Sequence, residues 1–166
     1  MTDIPPNIAP TKEPAPPTRL PEAAPPAFTV DGTWVVVSHR VIYGDTDGMG
    51  VVYYGNYMRF FEIARNELVR ARGGLYRELE AEGFFLPVTD VEARYRQPAR
   101  YDDVLHLAVR TEELGVARVR FAYRITRASD GALLVTGATT HACVARETGR
   151  PVRLPDAVRR WATPPT

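Results

Sequence analysis

The stretch that decides the fold is Tyr43–Tyr57, which reads YGDTDGMGVVYYGNY. It carries two acidic residues, Asp45 and Asp47, in a glycine-rich turn that runs directly into an amphipathic segment. A helix N-terminus presents backbone N–H groups without partners and the positive end of the helix dipole. A carboxylate beside such donors suits attack on a carbonyl group whose oxygen becomes negative in the transition state. A capping Asp in an ordinary Asp-Gly turn is the simpler interpretation of the same residues.

The helix after this turn is predicted from apolar residues at helical spacing. They recur across Tyr57–Ala71, and the Gly73-Gly74 pair ends the pattern. Asn56 stands just before the first apolar position and is predicted as the helix cap. A second, short helix is predicted for Leu75–Glu82, and Asp156–Trp161 suits a short terminal helix.

Strands are predicted on both sides of the long helix. One lies before it, at Trp34–Tyr43. Apolar and polar residues then alternate, which is typical of a sheet with one buried face. The order of strand, helix and a run of strands favours the α+β class, with helices on one face of an antiparallel sheet. The later strands are predicted at Phe84–Tyr95, Leu105–Arg110, Arg118–Thr126 and Ala132–Arg146.

Composition limits the classes of function. A chain of 166 residues with 45% hydrophobic residues predicts one globular domain. The net charge of +1 gives no global electrostatic case for binding nucleic acid. No apolar run is long enough to predict a membrane span, and no signal peptide is recognisable. The single cysteine, Cys143, excludes an internal disulfide framework and predicts a reducing compartment such as the cytoplasm. No ligand spacing predicts a metal site.

The two ends of the chain differ from the middle. Nine of the fifteen prolines precede Phe28, and proline favours extended, solvated chain. Residues 1–30 are therefore predicted to be a disordered tail, and residues 163–166 a second short one. The folded domain is predicted to span residues 31–162.

The segment Arg40–Arg70 resembles the signature region of the hotdog-fold acyl-CoA thioesterases of the 4-hydroxybenzoyl-CoA thioesterase family, most closely its YbgC-like branch. Two further segments, Ala93–Asp103 and Gly137–Val144, resemble later parts of the same family. Together the matches cover most of residues 34–155 in the right order. The pieces that carry the resemblance in the first segment are Arg40-Val41, Asp45-Thr46-Asp47, Gly50-Val51-Val52-Tyr53, Asn56-Tyr57 and Phe60-Phe61-Glu62 followed by Ala64-Arg65.

The resemblance implies a hotdog fold, in which a curved antiparallel sheet of about five strands wraps a long central helix. It implies hydrolysis of acyl-CoA thioesters to the free acid and CoA, without a cofactor. Asp47 falls on the catalytic position, as a nucleophile or a general base, and Asp45 is its nearby rival. The backbone N–H of Tyr54 falls where the family polarises the thioester carbonyl. Many relatives carry His or Phe at that position, but a backbone donor depends little on the side chain.

Other candidate site residues follow from the same comparison. Gly55 lets the chain approach the substrate closely, and Asn56 is a second candidate contact besides its capping role. Arg118 and Arg120, on one face of a strand, are the favoured contacts for the CoA nucleotide, although a solvated strand face explains them equally simply. A second set of candidate contacts for the nucleotide is Arg94, Arg96 and Arg100. Three aromatic residues are candidates for the wall of the acyl pocket: Phe84, Phe85 and Tyr95.

Two further expectations concern partners and alternatives. The last predicted strand is apolar or small on both faces, which predicts cover by a second subunit. Family members place their active sites at a subunit interface, so the resemblance implies a homodimer or homotetramer. The alternative function is a non-catalytic module of the same fold that binds acyl-CoA or acyl-carrier protein; the carboxylate Asp47 argues against it.

Overall fold

A long helix packed on one face of an antiparallel sheet forms the centre of the structure, a computed structural model that describes residues 28–163. The helices are α1 (Asn56–Ala71), α2 (Tyr76–Ala81) and α3 (Asp156–Ala162). The strands are β1 (Phe28–Asp31), β2 (Trp34–Arg40), β3 (Phe84–Phe85), β4 (Val88–Tyr95), β5 (Val104–Leu114), β6 (Arg118–Arg127), β7 (Leu133–Ala142) and β8 (Val144–Ala145).

The main sheet has the strand order β1-β2-β5-β6-β7-β4, and β3 pairs with β8 in a separate small sheet. The sequence predicted about five strands; the sixth is β1. The tail prediction was wrong for residues 28–30, because they pair with β2 through a two-residue turn at Gly32, whose φ is +58°. The predicted tail residues 1–27 and 164–166 lie outside the described residues.

Other boundaries also differ from the prediction. The single strand predicted for Phe84–Tyr95 is divided into β3 and β4, and the last strand predicted for residues 132–146 is divided into β7 and β8. In both cases the two parts pair with different partners. Thr163, predicted to begin the second tail, is tied to the domain. Its N–H donates to the carbonyl of Arg159 at 3.1 Å, and its own carbonyl accepts from Arg72 at 2.7 Å.

The core lies between α1 and the sheet. The helix buries one apolar stripe, as its spacing predicted, and Phe61 stacks on Tyr123 of β6 with ring centroids 4.2 Å apart. Gly137 on β7 makes this approach possible. A Cβ atom there would lie 2.5 Å from the backbone oxygen of Glu92 and 2.6 Å from the Phe61 ring. The buried residues of α1 are Tyr57, Phe60, Phe61, Ala64, Leu68 and Val69.

A chain of buried hydrogen bonds crosses this core beside Phe61. The Tyr123 hydroxyl lies 2.8 Å from Thr139 Oγ1, which lies 2.9 Å from His141 Nε2. Arg65 on α1 reaches the same nitrogen at 3.2 Å. The other ring nitrogen, Nδ1, lies 2.9 Å from the Leu86 carbonyl, which can only accept, so Nδ1 carries the proton and Nε2 is the acceptor. The network thus needs a neutral imidazole.

The charge state of the His141 imidazole predicts how the stability of the protein depends on pH. Burial, followed by the positive charge of Arg65, lowers the pKa of His141 from 6.5 to about 4. Between these pH values the unfolded chain binds a proton that the folded chain does not. The stabilisation is therefore complete above about pH 6.5 and falls as the pH drops towards 4, by about 3 kcal/mol in total.

Denaturant titrations of the free energy of unfolding between pH 7 and pH 4.5 measure this loss. The matched control is His141→Gln, which replaces the imidazole at position 141 by an amide that does not titrate, and it should show a flatter pH dependence. Equal slopes for the two proteins would contradict the assignment. The resonances of the His141 imidazole in the wild-type protein, which should stay unchanged down to about pH 5, give the same answer without a variant.

Candidate active site

The turn from Asp47 to Val51, called the Asp47 turn below, is closed by its own backbone. Asp47 N–H donates to the Val51 carbonyl, and Gly50 N–H donates to the Asp47 carbonyl, both at 2.9 Å. Gly50 has a φ of +71°, which residues with side chains rarely adopt. Asp47 Oδ1 accepts from Met49 N–H at 2.8 Å. Among residues 28–163, Asp47 Oδ2 has no hydrogen-bond partner, so one oxygen of this half-buried carboxylate is available for chemistry.

Asp45 has a different environment, since its side chain is completely buried. Its Oδ2 accepts from the N–H of Ile42 at 3.0 Å, and its Oδ1 pairs with Arg59 of α1. His39 Nε2 lies 3.4 Å from Oδ2, and burial, followed by the charge of Arg59, lowers the pKa of that histidine. The contact is therefore a long hydrogen bond from a neutral imidazole. These bonds occupy both oxygens of Asp45, which makes it a structural residue of the turn.

The start of α1 lies immediately beside these two acids. Gly55, not Asn56, is the residue that caps the helix, and the predicted capping role of Asn56 was wrong. Asn56 instead donates its side-chain N–H to the Asp45 carbonyl at 2.9 Å, which ties the helix to the turn. A Cβ atom at Gly55 would lie 2.7 Å from the Tyr53 ring, so any larger residue there would displace that ring. Within the described part of the chain, the N–H groups of Tyr54 and Gly55 have no acceptor.

A cavity of about 260 Å³ opens at this junction. Asp47 and Tyr54 both line it, so the available carboxylate and the residue with an unpaired amide share one space. Of the aromatic residues considered from the sequence, Tyr95 lines the cavity, whereas Phe84 and Phe85 do not. The other wall residues come from the Asp47 turn and its end, the start of α1 and the segment after β4, and apart from Arg96 no pattern in the sequence marks them as cavity residues. The remaining lining residues are Met49, Val51, Val52, Tyr57, Arg96, Gln97 and Pro98.

Comparison with known proteins identifies the family. Residues 41–162 match the Thioesterase-like superfamily. The chain belongs to this superfamily. The resemblance read from the sequence is therefore confirmed, and the chain is a thioesterase by family. No helix in residues 28–163 is long and apolar enough to cross a membrane.

Named relatives of this thioesterase are similar along most of their length. The acyl-CoA thioester hydrolase YbgC of Escherichia coli is 33% identical over 119 residues, covering 72% of this chain and 88% of that protein. The acyl-CoA thioesterase YbgC of Haemophilus influenzae is 34% identical over 122 residues, with the same coverage. The crystal structure of a DHNA-CoA thioesterase from Staphylococcus aureus superposes with a TM-score of 0.73 at 30% identity, covering 77% of this chain and 85% of that one.

The structure of this thioesterase does not bring the two predicted nucleotide-binding arginines to the Asp47 cavity. Arg118 and Arg120 lie on β6, on the face of the sheet that points away from α1, and neither lines the cavity. Arg120 is also neutralised by Glu112 at 2.8 Å and Glu92 at 3.0 Å. Arg118 is exposed and has no ion pair among residues 28–163. Of the arginines considered from the sequence, only Arg96 lines the cavity.

The environments of the two acids predict losses of stability of different size. In Asp45→Asn an amide replaces a buried carboxylate that accepts bonds from Ile42 and Arg59, so at least one donor loses a charged partner. We expect a loss of about 1–3 kcal/mol. Asp47→Asn, whose side chain makes one bond in an exposed turn, is the control and should lose well under half as much. Thermal unfolding of the two variants measures the difference. Equal melting temperatures would show that Asp45 does not hold the turn.

Proposed function

We propose that this protein hydrolyses acyl-CoA thioesters to the free acid and CoA. The observation that carries the proposal is the shared cavity, which is lined both by Asp47, with its free oxygen, and by Tyr54, whose N–H has no acceptor within residues 28–163. The named relatives, which are acyl-CoA thioesterases, support the substrate class. No cofactor is needed for this reaction, and no group of three or more metal-binding side chains occurs within residues 28–163.

Asp47 is the proposed catalytic carboxylate. Its free oxygen either attacks the thioester carbonyl carbon or removes a proton from the water that does so. Either route produces a tetrahedral intermediate with a negative oxygen and then expels the CoA thiolate. Attack by water gives the free acid directly, whereas attack by Asp47 leaves an acyl-aspartyl anhydride, which a water molecule then hydrolyses to the free acid and the carboxylate. The two routes place the same demand on the site: the carbonyl carbon must lie close to Asp47 while its oxygen lies close to a donor.

The N–H of Tyr54 is the proposed donor. A backbone amide that lacks a partner in the protein can bind the developing oxyanion without first breaking another bond, and the positive end of the α1 dipole adds to this stabilisation. Gly55 follows this residue, and its lack of a side chain leaves room for the Tyr53 ring. The contribution depends on the backbone, so the tyrosine side chain is compatible with it.

Asp47→Asn tests the assignment. The substitution keeps the size of the side chain and removes both nucleophile and base, so kcat for release of free thiol from acyl-CoA should fall about 100-fold or more. A folded Asp47→Asn variant with near-normal turnover would exclude Asp47. Wild-type protein that binds acyl-CoA without releasing thiol would instead establish the non-catalytic binding module.

We also propose that the protein works as a homo-oligomer, a dimer or a tetramer. Strand β4 is an edge of the sheet, and its free edge could pair with another chain. Three large side chains on this strand are about half exposed: Val88 at 47%, Val91 at 49% and Tyr95 at 47%. Tyr95 also lines the Asp47 cavity, so a neighbour on this edge would complete the wall of the site.

Sedimentation velocity at micromolar concentration tests the assembly. The wild-type protein should sediment as a multiple of the 18.5 kDa chain. Val91→Glu, which places a charge on the β4 edge, should shift it towards the monomer and lower activity. Val116→Glu, at an exposed valine between β5 and β6, is the control and should change neither. An active wild-type monomer would contradict the proposal.

A further inference from the structure

One hydrogen bond connects the edge strand β4 with the start of α1. The hydroxyl of Tyr95 donates to the carbonyl oxygen of Tyr54 at 3.1 Å. The Tyr95 ring is held edge-on by two aromatic neighbours, Tyr54 at 6.3 Å and the buried Tyr57 at 5.5 Å. Edge-to-face packing of this kind favours a single ring orientation. The contacts of its ring with Tyr54 and Tyr57 therefore direct the hydroxyl at the Tyr54 carbonyl.

This carbonyl belongs to one of the two peptide groups that flank the Tyr54 Cα atom. In the preceding group, the Tyr53 carbonyl accepts from Asn56 N–H at 2.9 Å. Because the C=O and N–H of a trans peptide point in opposite directions, this bond directs the Tyr54 N–H away from the helix. In the following group, the Tyr54 carbonyl accepts a weak bond from Tyr57 N–H, because the distance of 3.4 Å is long for such a bond. Of the two hydrogen bonds that the Tyr54 carbonyl accepts, the one from the Tyr95 hydroxyl is the shorter.

We infer that Tyr95 is a positioning residue, which holds the Tyr54 backbone so that its N–H stays aimed at the thioester oxygen. The inference rests on the proposed function of that N–H. It assigns a role in catalysis to a residue of β4, far from the Asp47 turn in sequence. Burial and the neighbouring Tyr54 raise the pKa of Tyr95, so its hydroxyl keeps the proton that it donates at neutral pH.

The test is Tyr95→Phe, which removes only the hydroxyl and keeps the ring that lines the cavity. An oxyanion donor acts in the transition state more than in the ground state, so its misalignment should appear in kcat. We expect kcat to fall about 10-fold while KM changes less than about 2-fold, since small displacements of catalytic groups have effects of this order. The shape of the pH–rate profile should stay the same, because Tyr95 does not exchange its proton with the substrate.

The chain offers a matched control. Tyr101 has the same exposed fraction as Tyr95, 47%, and it stacks on Tyr43 with ring centroids 3.7 Å apart. In the described part of the chain its hydroxyl makes no hydrogen bond. Tyr101→Phe should therefore leave kcat and KM unchanged.

Four kinetic results would overturn the inference: an unchanged kcat in Tyr95→Phe, a loss confined to KM, an equal loss in Tyr101→Phe, or the disappearance of one limb of the pH–rate profile. The last would make Tyr95 an acid or base rather than a positioning residue. Amide hydrogen exchange gives a readout that needs no activity. Exchange at Asn56 and Tyr57, whose N–H groups bond the two flanking carbonyls, should be faster in Tyr95→Phe.

This second readout separates the inference from the proposed function. If the wild-type protein hydrolyses no thioester, the proposed function fails, and the exchange rates still decide whether Tyr95 holds this backbone. Unchanged exchange at Asn56 and Tyr57 would then overturn the inference. If hydrolysis is normal in Tyr95→Phe, the inference fails and the proposed function stands.

Discussion

The buried carboxylate of Asp45 is the constraint on which the Asp47 turn depends. It bonds the backbone at the end of β2 through Ile42 and the side of α1 through Arg59. The backbone carbonyl of Asp45 accepts from Tyr53 N–H at 2.9 Å and from the Asn56 side chain at 2.9 Å. One residue thus joins the strand, the turn and the helix. A buried charge with all its bonds made resists rearrangement, because each broken bond would leave a donor or acceptor unsatisfied.

This constraint explains why two acids two residues apart differ in character. Asp45 is enclosed and its oxygens are occupied, so it is not available to a substrate. Asp47 lies on the other side of the bridge between Thr46 and Val52, at the surface of the cavity, with one oxygen free. The same short sequence provides both a rigid support and a reactive group, because Asp45 ends one turn at Tyr43–Asp45 and Asp47 begins the next one beyond the bridge.

The sheet supplies the rest of the support through contacts of a different kind. Gly137 admits the Phe61 ring, which brings α1 close to β6 and β7. The hydrogen bonds from Tyr123 through Thr139 to His141 and Arg65 fix the rotation of the helix on the sheet more precisely than apolar packing would, because they are directional. With the helix fixed, its N-terminus has a fixed position relative to β4, where Tyr95 contacts it.

The sequence by itself determined the features that depend on neighbouring residues: the long helix, the alternating strands, the α+β class and the Asp-containing turn before the helix. Spacing along the chain carries this information, because side chains three, four or two residues apart share a face. The tertiary structure alone decided what meets across the chain. It gave β1 a partner, gave the predicted nucleotide contact Arg120 acidic neighbours, and brought Tyr95 to Tyr54 across 41 residues of sequence. Such contacts depend on strand order and register, which separate segments fix only when they pair.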